Sequence, residues 1–357
     1  MDRMKRHGIL NPSAGCRTLL ACVAVLLLGG CQSGMDETAD RTPADKDTDT
    51  PVTVYFSTLE AQVSRAAGNS LPQALTAGTR FRVYVYTQGG EQAATAVYTV
   101  GDDNTTTSEA NAIKLYRGTY DFYFISDNTT GIGQPAVTAG KNVTVSNGTD
   151  FICTTLEDVV VQSGSGSSSI LIPVSTPFSH LCSQVSVAVK ADKKQPQKIT
   201  SLSVNSITMK NLSSDRTYIL GATAWNPADK PTYTENPSTS QWSAFTANNT
   251  EDSDGTSYLY ESAAPYLTLP TDSTTNLAFD VNLTIGYDKT VGGSTSSTEE
   301  TKPYTVSLSK ALLPGTKYRI EFSLTFFGDL AATDIALTVK AYDERELTTD
   351  EIGGDEE

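Results

Sequence analysis

Apolar side chains in this chain recur at every second position, in short runs parted by turn residues, and this spacing constrains the fold more than any other feature. Val52 to Phe56 (VTVYF), Phe81 to Thr87 (FRVYVYT), Tyr120 to Phe124 (YDFYF) and Val185 to Val189 (VSVAV) follow it. So do Phe279 to Ile285 (FDVNLTI), Tyr318 to Phe326 (YRIEFSLTF) and Ile335 to Tyr342 (IALTVKAY). Successive side chains of a strand point to opposite faces, so a period of two marks a strand with one buried face. From Pro51 onward no segment sustains the 3.6 period of a helix, and turn pairs such as Gly89-Gly90, Asn147-Gly148 and Asp254-Gly255 separate the runs. The expectation is an all-β chain built of two-sheeted sandwiches.

The 357 residues suggest about two domains at roughly 150 residues each. An internal echo supports a pair: Leu115 to Phe124 (LYRGTYDFYF) and Leu313 to Phe322 (LPGTKYRIEF) both read Leu, a turn with Gly, Tyr, then alternating apolar residues. That pattern suits a tyrosine corner, in which the hydroxyl of Tyr120 or Tyr318 bonds back to the preceding turn. The expected organisation is two tandem Greek-key (transthyretin/immunoglobulin-like) β-sandwich domains, 51–176 and 177–342, with an acidic C-terminal tail, 343–357. The run Ser163 to Ser169 (SGSGSSS) reads equally well as a linker or as a long loop of the first sandwich.

A basic start (Arg3, Lys5, Arg6) precedes the apolar run Thr18 to Gly30, which is too short to span a bilayer and reads as an export signal. The run ends in Leu28-Gly29-Gly30-Cys31, which resembles the lipobox of bacterial lipoproteins. That resemblance implies a lipid on the Cys31 sulfur, cleavage just before it, and an outer-membrane lipoprotein at the cell surface. Residues 1–30 are then the lipoprotein signal peptide, and Cys16 and Cys22 leave with it. Residues 31–50, rich in acids, Thr and Pro, form a flexible tether that lacks the apolar surface to fold. The cysteines left in the body, Cys153 and Cys182, are a candidate disulfide in an exported compartment, or else two buried thiols.

Several chemistries lack their residues. With 26 Lys+Arg against 41 Asp+Glu the net charge is −15; loss of Arg3, Lys5, Arg6, Arg17 and Asp2 with the signal leaves 22 against 40, or −18. Nucleic acid is excluded as a partner by that balance. The body holds one histidine, His180, and neither HExxH, nor zinc spacing, nor a P-loop, nor GxGxxG, nor a GxSxG elbow. His180 therefore reads as a structural residue at a strand end. Asp102-Asp103-Asn104 and Glu251 to Gly255 have calcium-friendly oxygens but not the calcium-loop register. The expectation is a chain without catalysis, metal or cofactor.

Val52 to Tyr86 (VTVYFSTLEAQVSRAAGNSLPQALTAGTRFRVYVY) resembles the N-terminal region of the fimbrillins, the lipoprotein pilins of Bacteroidia. A short strand after the tether is followed there by a loop with an arginine before small residues and glycine, here Arg65-Ala66-Ala67-Gly68, and then by the first long strand. The likeness extends over Thr176 to His180 with the following strand and over Leu313 to Tyr342. It implies a fimbrial, adhesive subunit that an arginine-specific protease cuts between Arg65 and Ala66. Residues 51–65, with Val52, Val54 and Phe56, are then removable. The groove left behind takes a strand from a neighbouring subunit, and Ile335, Leu337 and Val339 repeat the same apolar comb as a candidate donor. Those three may equally be the last strand of their own domain. In that case the donor falls in 343–357, where only Leu347 and Ile352 are apolar.

The implied partners are other fimbrial subunits, outer-membrane lipid before processing, and the protease; the mature location is the fimbrium. One rival is a surface glycan-binding lipoprotein of a nutrient-uptake system, which exposed Trp225 or Trp242 would favour as sugar-stacking platforms. A glycoside hydrolase is the other, and it needs two facing carboxylates that nothing in the sequence selects. The lipobox reading predicts that Cys31→Ser abolishes palmitate incorporation and moves the protein from the membrane fraction to the soluble one, as read by metabolic labelling and fractionation.

Overall fold

The computed structural model describes residues 50–62, 72–108, 111–162, 168–191, 199–222, 225, 233–234, 241–248, 250–252, 255–271, 276–291, 293–326 and 335–343. Its regular structure is entirely β. The chain runs through β1 (Val52–Ser57), β2 (Glu60–Ala61), β3 (Gln73–Ala74), β4 (Arg80–Thr87), β5 (Gln92–Val100), β6 (Thr106–Ser108), β7 (Lys114–Leu115), β8 (Gly118–Ser126) and β9 (Val137–Ala139). Next come β10 (Asn142–Ser146), β11 (Ile152–Val161), β12 (Ser169–Pro173), β13 (Ser179–His180), β14 (Ser183–Ala191), β15 (Ile199–Lys210), β16 (Leu212–Ser213), β17 (Asp215–Ile219) and β18 (Tyr233–Thr234). The last are β19 (Gln241–Trp242), β20 (Phe245–Ala247), β21 (Thr250–Asp252), β22 (Gly255–Ser262), β23 (Tyr266–Thr268), β24 (Asn276–Val291), β25 (Ser294–Ser309), β26 (Lys317–Phe326) and β27 (Ile335–Asp343). All seven runs with a period of two lie on strands: β1, β4, β8, β14, β24, β26 and β27.

The sheet β12-β1-β7 packs its apolar face on the sheet β13-β11-β8-β4-β5-β6. Between them Val52, Val54, Phe56, Phe81, Tyr98, Phe122 and Phe124 form a core of almost wholly buried side chains. Further along, the sheet β20-β22-β14-β26-β27, to which β21 and β23 attach, packs on β19-β15-β24-β25 around Val187, Leu202, Phe279, Leu283, Ile320 and Phe322. In the second core Phe279 and Phe322 meet edge to face at 5.3 Å.

One expectation is corrected here. β4 and β8 do not have a single apolar face, because residues 83–86 of β4 and 122–126 of β8 are buried without alternation. The second face of that sheet, carrying Tyr84, Tyr86, Tyr123 and Ile125, is covered by the small sheet β17-β10-β9, with Val143, Val145, Tyr218, Leu220 and Trp225. Strands covered on both faces lose the clean alternation of apolar and polar, and here tyrosines fill the alternate positions. β17 comes from well beyond Pro177, yet it pairs antiparallel with β10 from Asn142↔Ile219 to Ser146↔Asp215.

Sequence also understated β25, whose residues are mostly polar. It pairs with β24 over its whole length, Asn276↔Ser309 to Val291↔Ser294, and of its side chains Tyr304, Val306 and Leu308 pack against the second core. Its Pro303 is tolerated because β25 is the outer strand of its sheet. The two echoed tyrosines do bond backwards: Tyr120 Oη donates to the Tyr116 carbonyl at 3.1 Å, and Tyr318 Oη accepts from the Leu313 N–H at 2.8 Å.

Where the chain turns after β17, Gly221 has φ of +82°, and a Cβ built on it would lie 2.6 Å from Tyr123 Cε1. Backbone strain and steric conflict coincide there, so Gly221→Ala is expected to destabilise the fold by about 2 kcal/mol or more, measured as a lower denaturant midpoint at unchanged slope.

Candidate functional site

Of the residues that the sequence singles out, Val52, Val54 and Phe56 converge on one site. β1 begins in sequence VTVYFS, and its alternation sends these three inward, at 2%, 0% and 0% exposure. The strand lies between two others of the same sheet, parallel to β12 (Thr53↔Ser169 to Ser57↔Pro173) and antiparallel to β7 (Val52↔Leu115, Thr53↔Lys114). It therefore occupies a slot, with backbone partners on both edges and the large sheet as its floor.

Backbone groups of β1 are held along its length. The Val54 N–H donates to the Ile113 carbonyl at 2.8 Å and the Thr53 N–H to the Ser168 carbonyl at 2.9 Å. Two side chains from the floor also contribute. Tyr98 Oη donates to the Val54 carbonyl at 2.8 Å and accepts from the Ile113 N–H at 2.9 Å, while Thr106 Oγ1 accepts from the Phe56 N–H at 2.9 Å. Burial pushes the Tyr98 phenol up to about 12, so this hydroxyl keeps its proton and its donor role across the physiological range.

The Phe56 ring ends in an aromatic box. Tyr98, Phe122 and Phe124 meet it edge to face, with centroids at 5.1, 5.8 and 5.0 Å. Past β1, Leu59 is fully buried and the chain enters the hairpin β2–β3, Glu60↔Ala74 and Ala61↔Gln73. The hairpin is tied to the body where the Phe178 N–H donates to the Glu60 carbonyl at 2.7 Å and the Gln62 N–H to the Phe178 carbonyl at 2.8 Å. Arg65 and Ala66 lie outside the described residues, in the connection between β2 and β3, and Cys31 lies outside them as well.

β27, with Ile335, Leu337 and Val339, is not near this slot in sequence order or in pairing. It runs antiparallel to β26, from Tyr318↔Asp343 to Phe326↔Ile335, as the last strand of its sheet. Leu337 and Val339 are half-buried against the second core.

Of the two alternatives for Cys153 and Cys182, the structure has them as buried free thiols. Burial pushes them up to about 11 and about 12, which keeps them protonated and unreactive. Trp225 and Trp242 are buried, each 6% exposed, and donate their indole N–H groups to the carbonyls of Leu181 at 2.8 Å and Ala264 at 3.1 Å. Neither offers a sugar-stacking face. Asp103 spends its carboxylate on Thr105, Oγ1 at 2.6 Å and N–H at 3.1 Å, and Asn104 Oδ1 accepts from the Leu59 N–H at 3.2 Å. Among the described residues no group of three or more His, Cys, Asp or Glu is placed to hold a metal ion.

His180 stands at the end of β13 beside a cavity of about 300 Å3, lined among others by Gln62, Gln73, Asp150, Gln184 and Lys317. Its Nδ1 is 2.7 Å from Asp150 Oδ1, and Asp150 Oδ2 accepts from Asn128 Nδ2 at 2.8 Å.

Sequence reading missed the walls of the slot: Tyr98, Thr106, β7 and β12. Phe122 and Phe124 share one phase of β8, which marks an aromatic floor but not the strands above it.

No protein-family model matches the chain, and no curated protein matches it. Among solved structures, it is similar to a candidate cell adhesion protein from Bacteroides fragilis, with 14% identity, TM-score 0.47, and coverage of 82% of this chain and 98% of the other. A candidate cell adhesion protein from Bacteroides uniformis gives 16% identity and TM-score 0.45 over 83% and 99% of the two chains. The fimbrial anchor protein Mfa2 from Porphyromonas gingivalis gives 12% identity and TM-score 0.36 over 82% and 98%.

Burial by itself would raise the Asp150 carboxyl, but the hydrogen bond and charge of His180, with the Asn128 amide, outweigh it and hold the group below its ordinary value. A carboxyl so lowered stabilises the fold above about pH 4, and that contribution is lost as pH falls through the folded-state value. Asp150→Asn is expected to cost about 1 to 3 kcal/mol at pH 7 and to flatten the loss of stability below about pH 4, both read from denaturant titrations across pH.

Proposed function

We propose that this chain is a structural and adhesive subunit of a surface fibre. It is exported as a lipoprotein on Cys31, activated by cleavage between Arg65 and Ala66, and joined to its neighbours by exchange of β1 for another subunit's strand. The observation that carries this reading is the slot. β1 is an inner strand of its sheet, yet it is the first strand of the described chain. A single cut in the connection between β2 and β3 separates it covalently from everything that walls it in.

The energetics suit a latch. Burying Val52, Val54 and Phe56 is worth about 1.5 to 3 kcal/mol each, so an emptied slot is strongly unfavourable and demands a replacement. Added backbone hydrogen bonds at about 0.5 to 1.5 kcal/mol each favour a strand over any other occupant. β27, the outer strand of its sheet, supplies the comb Ile335, Leu337 and Val339 as the donor toward a neighbour, by peeling from β26. In this reading 51–176 and 177–342 are the two sandwich domains, tied by the β10–β17 pairing, and the chain is not an enzyme. Burial of Trp225 and Trp242 removes the feature that would have favoured a glycan binder.

Cutting the soluble form, residues 32–357, with an arginine-specific protease is expected to yield one new N-terminus at Ala66. The cut protein should then take up a labelled peptide spanning 51–60, in exchange for its own β1, while uncut protein and Arg65→Ala should not. Cleavage elsewhere only, or a cut protein that never takes up the peptide, overturns the proposal.

A further inference from the structure

Resting on the strand-exchange reading, we propose that the slot under β1 selects an extended segment of the pattern apolar-x-apolar-x-aromatic. The strand that replaces β1 then comes from a different kind of subunit, not from the 335–357 segment of a second copy of this chain.

The argument starts from the backbone. Tyr98 Oη on the Val54 carbonyl, Thr106 Oγ1 on the Phe56 N–H and the Ile113 carbonyl on the Val54 N–H all touch main-chain atoms. They hold any extended strand alike, so discrimination falls to the three inward side chains. The first two positions, under Val52 and Val54, accept branched aliphatic residues. The third does not. Phe56 is wholly buried in edge-to-face contact with three rings, and those rings are braced in turn: Phe81 lies 6.0 Å from both Tyr98 and Phe124, and Phe178 lies 6.1 Å from Phe124. A box with braced walls cannot close around a smaller side chain, which leaves a void.

This chain has no strand to match at its C-terminal end. With Ile335 and Leu337 in the first two positions, Val339 falls in the box; shifted by two residues, Ala341 does; reversed, Ile335 does. Tyr342 belongs to the opposite phase, and turning it inward would carry Lys340 into the core with it. Residues 343–357 contain no Phe, Tyr or Trp. Segment 335–357 of a second copy can therefore offer the comb but not the plug.

The test uses residues 32–357 with a specific protease site inserted within 63–71, so that it does not depend on Arg65. After the cut, four labelled peptides compete for the slot: 51–60, 51–60 with Phe56→Val, 335–343, and 335–343 with Val339→Phe. Loss of the ring is expected to weaken the first peptide at least about tenfold, and Val339→Phe to strengthen the 335–343 peptide by about the same factor. If the unmodified 335–343 peptide binds within about twofold of 51–60, or Phe56→Val changes binding less than that, the selectivity is overturned while strand exchange stands. If no peptide enters the cut chain, strand exchange falls and this proposal falls with it.

Discussion

A single phenol hydroxyl links the parts of the first core. Tyr98, on β5 in the floor of the sandwich, donates to the Val54 carbonyl in β1 and accepts from the Ile113 N–H just before β7. Its ring meanwhile stacks on Phe81 and meets Phe56 edge to face. A buried polar group without partners is costly, and one shared between two backbone segments satisfies both at once. The roof sheet β12-β1-β7 is thus positioned from below, and β1 has a place defined on three sides.

That arrangement separates two kinds of recognition. Hydrogen bonds in the slot are made to main-chain atoms and favour extended backbone in general. Side-chain fit is concentrated at Phe56 among Tyr98, Phe122 and Phe124, and under the proposed strand exchange it is what tells one strand from another. Recognition by sheet extension commonly divides affinity and specificity in this manner, and the single large aromatic pocket gives the division a definite location here.

The second face of the β4–β8–β11 sheet shows how the two halves of the chain are tied. β17 pairs with β10, and Tyr218 and Trp225 pack on Phe151 at 5.2 and 6.2 Å. Cys153 and Cys182 lie in the same cluster as buried thiols. Lys141 extends over Tyr86 and Tyr123 at 4.5 and 4.7 Å, so a cation closes the solvent edge of the tyrosine layer. Phe122 and Phe124 lie on the opposite face of the same sheet, toward β1.

From the amino-acid order alone came the all-β class, the seven alternating strands, the inward comb of Val52, Val54 and Phe56, and the backward bonds of Tyr120 and Tyr318. These depend on neighbours two to five residues away, and local geometry determines them. Which strands flank β1, that Tyr98 and Thr106 reach its backbone, that β17 crosses to β10, and that the two cysteines and the two tryptophans lie buried were decided only by tertiary structure. Each of these is a pairing between segments far apart in sequence, chosen by how whole faces fit together, and a period of two says which side chains turn inward without saying what they will meet there.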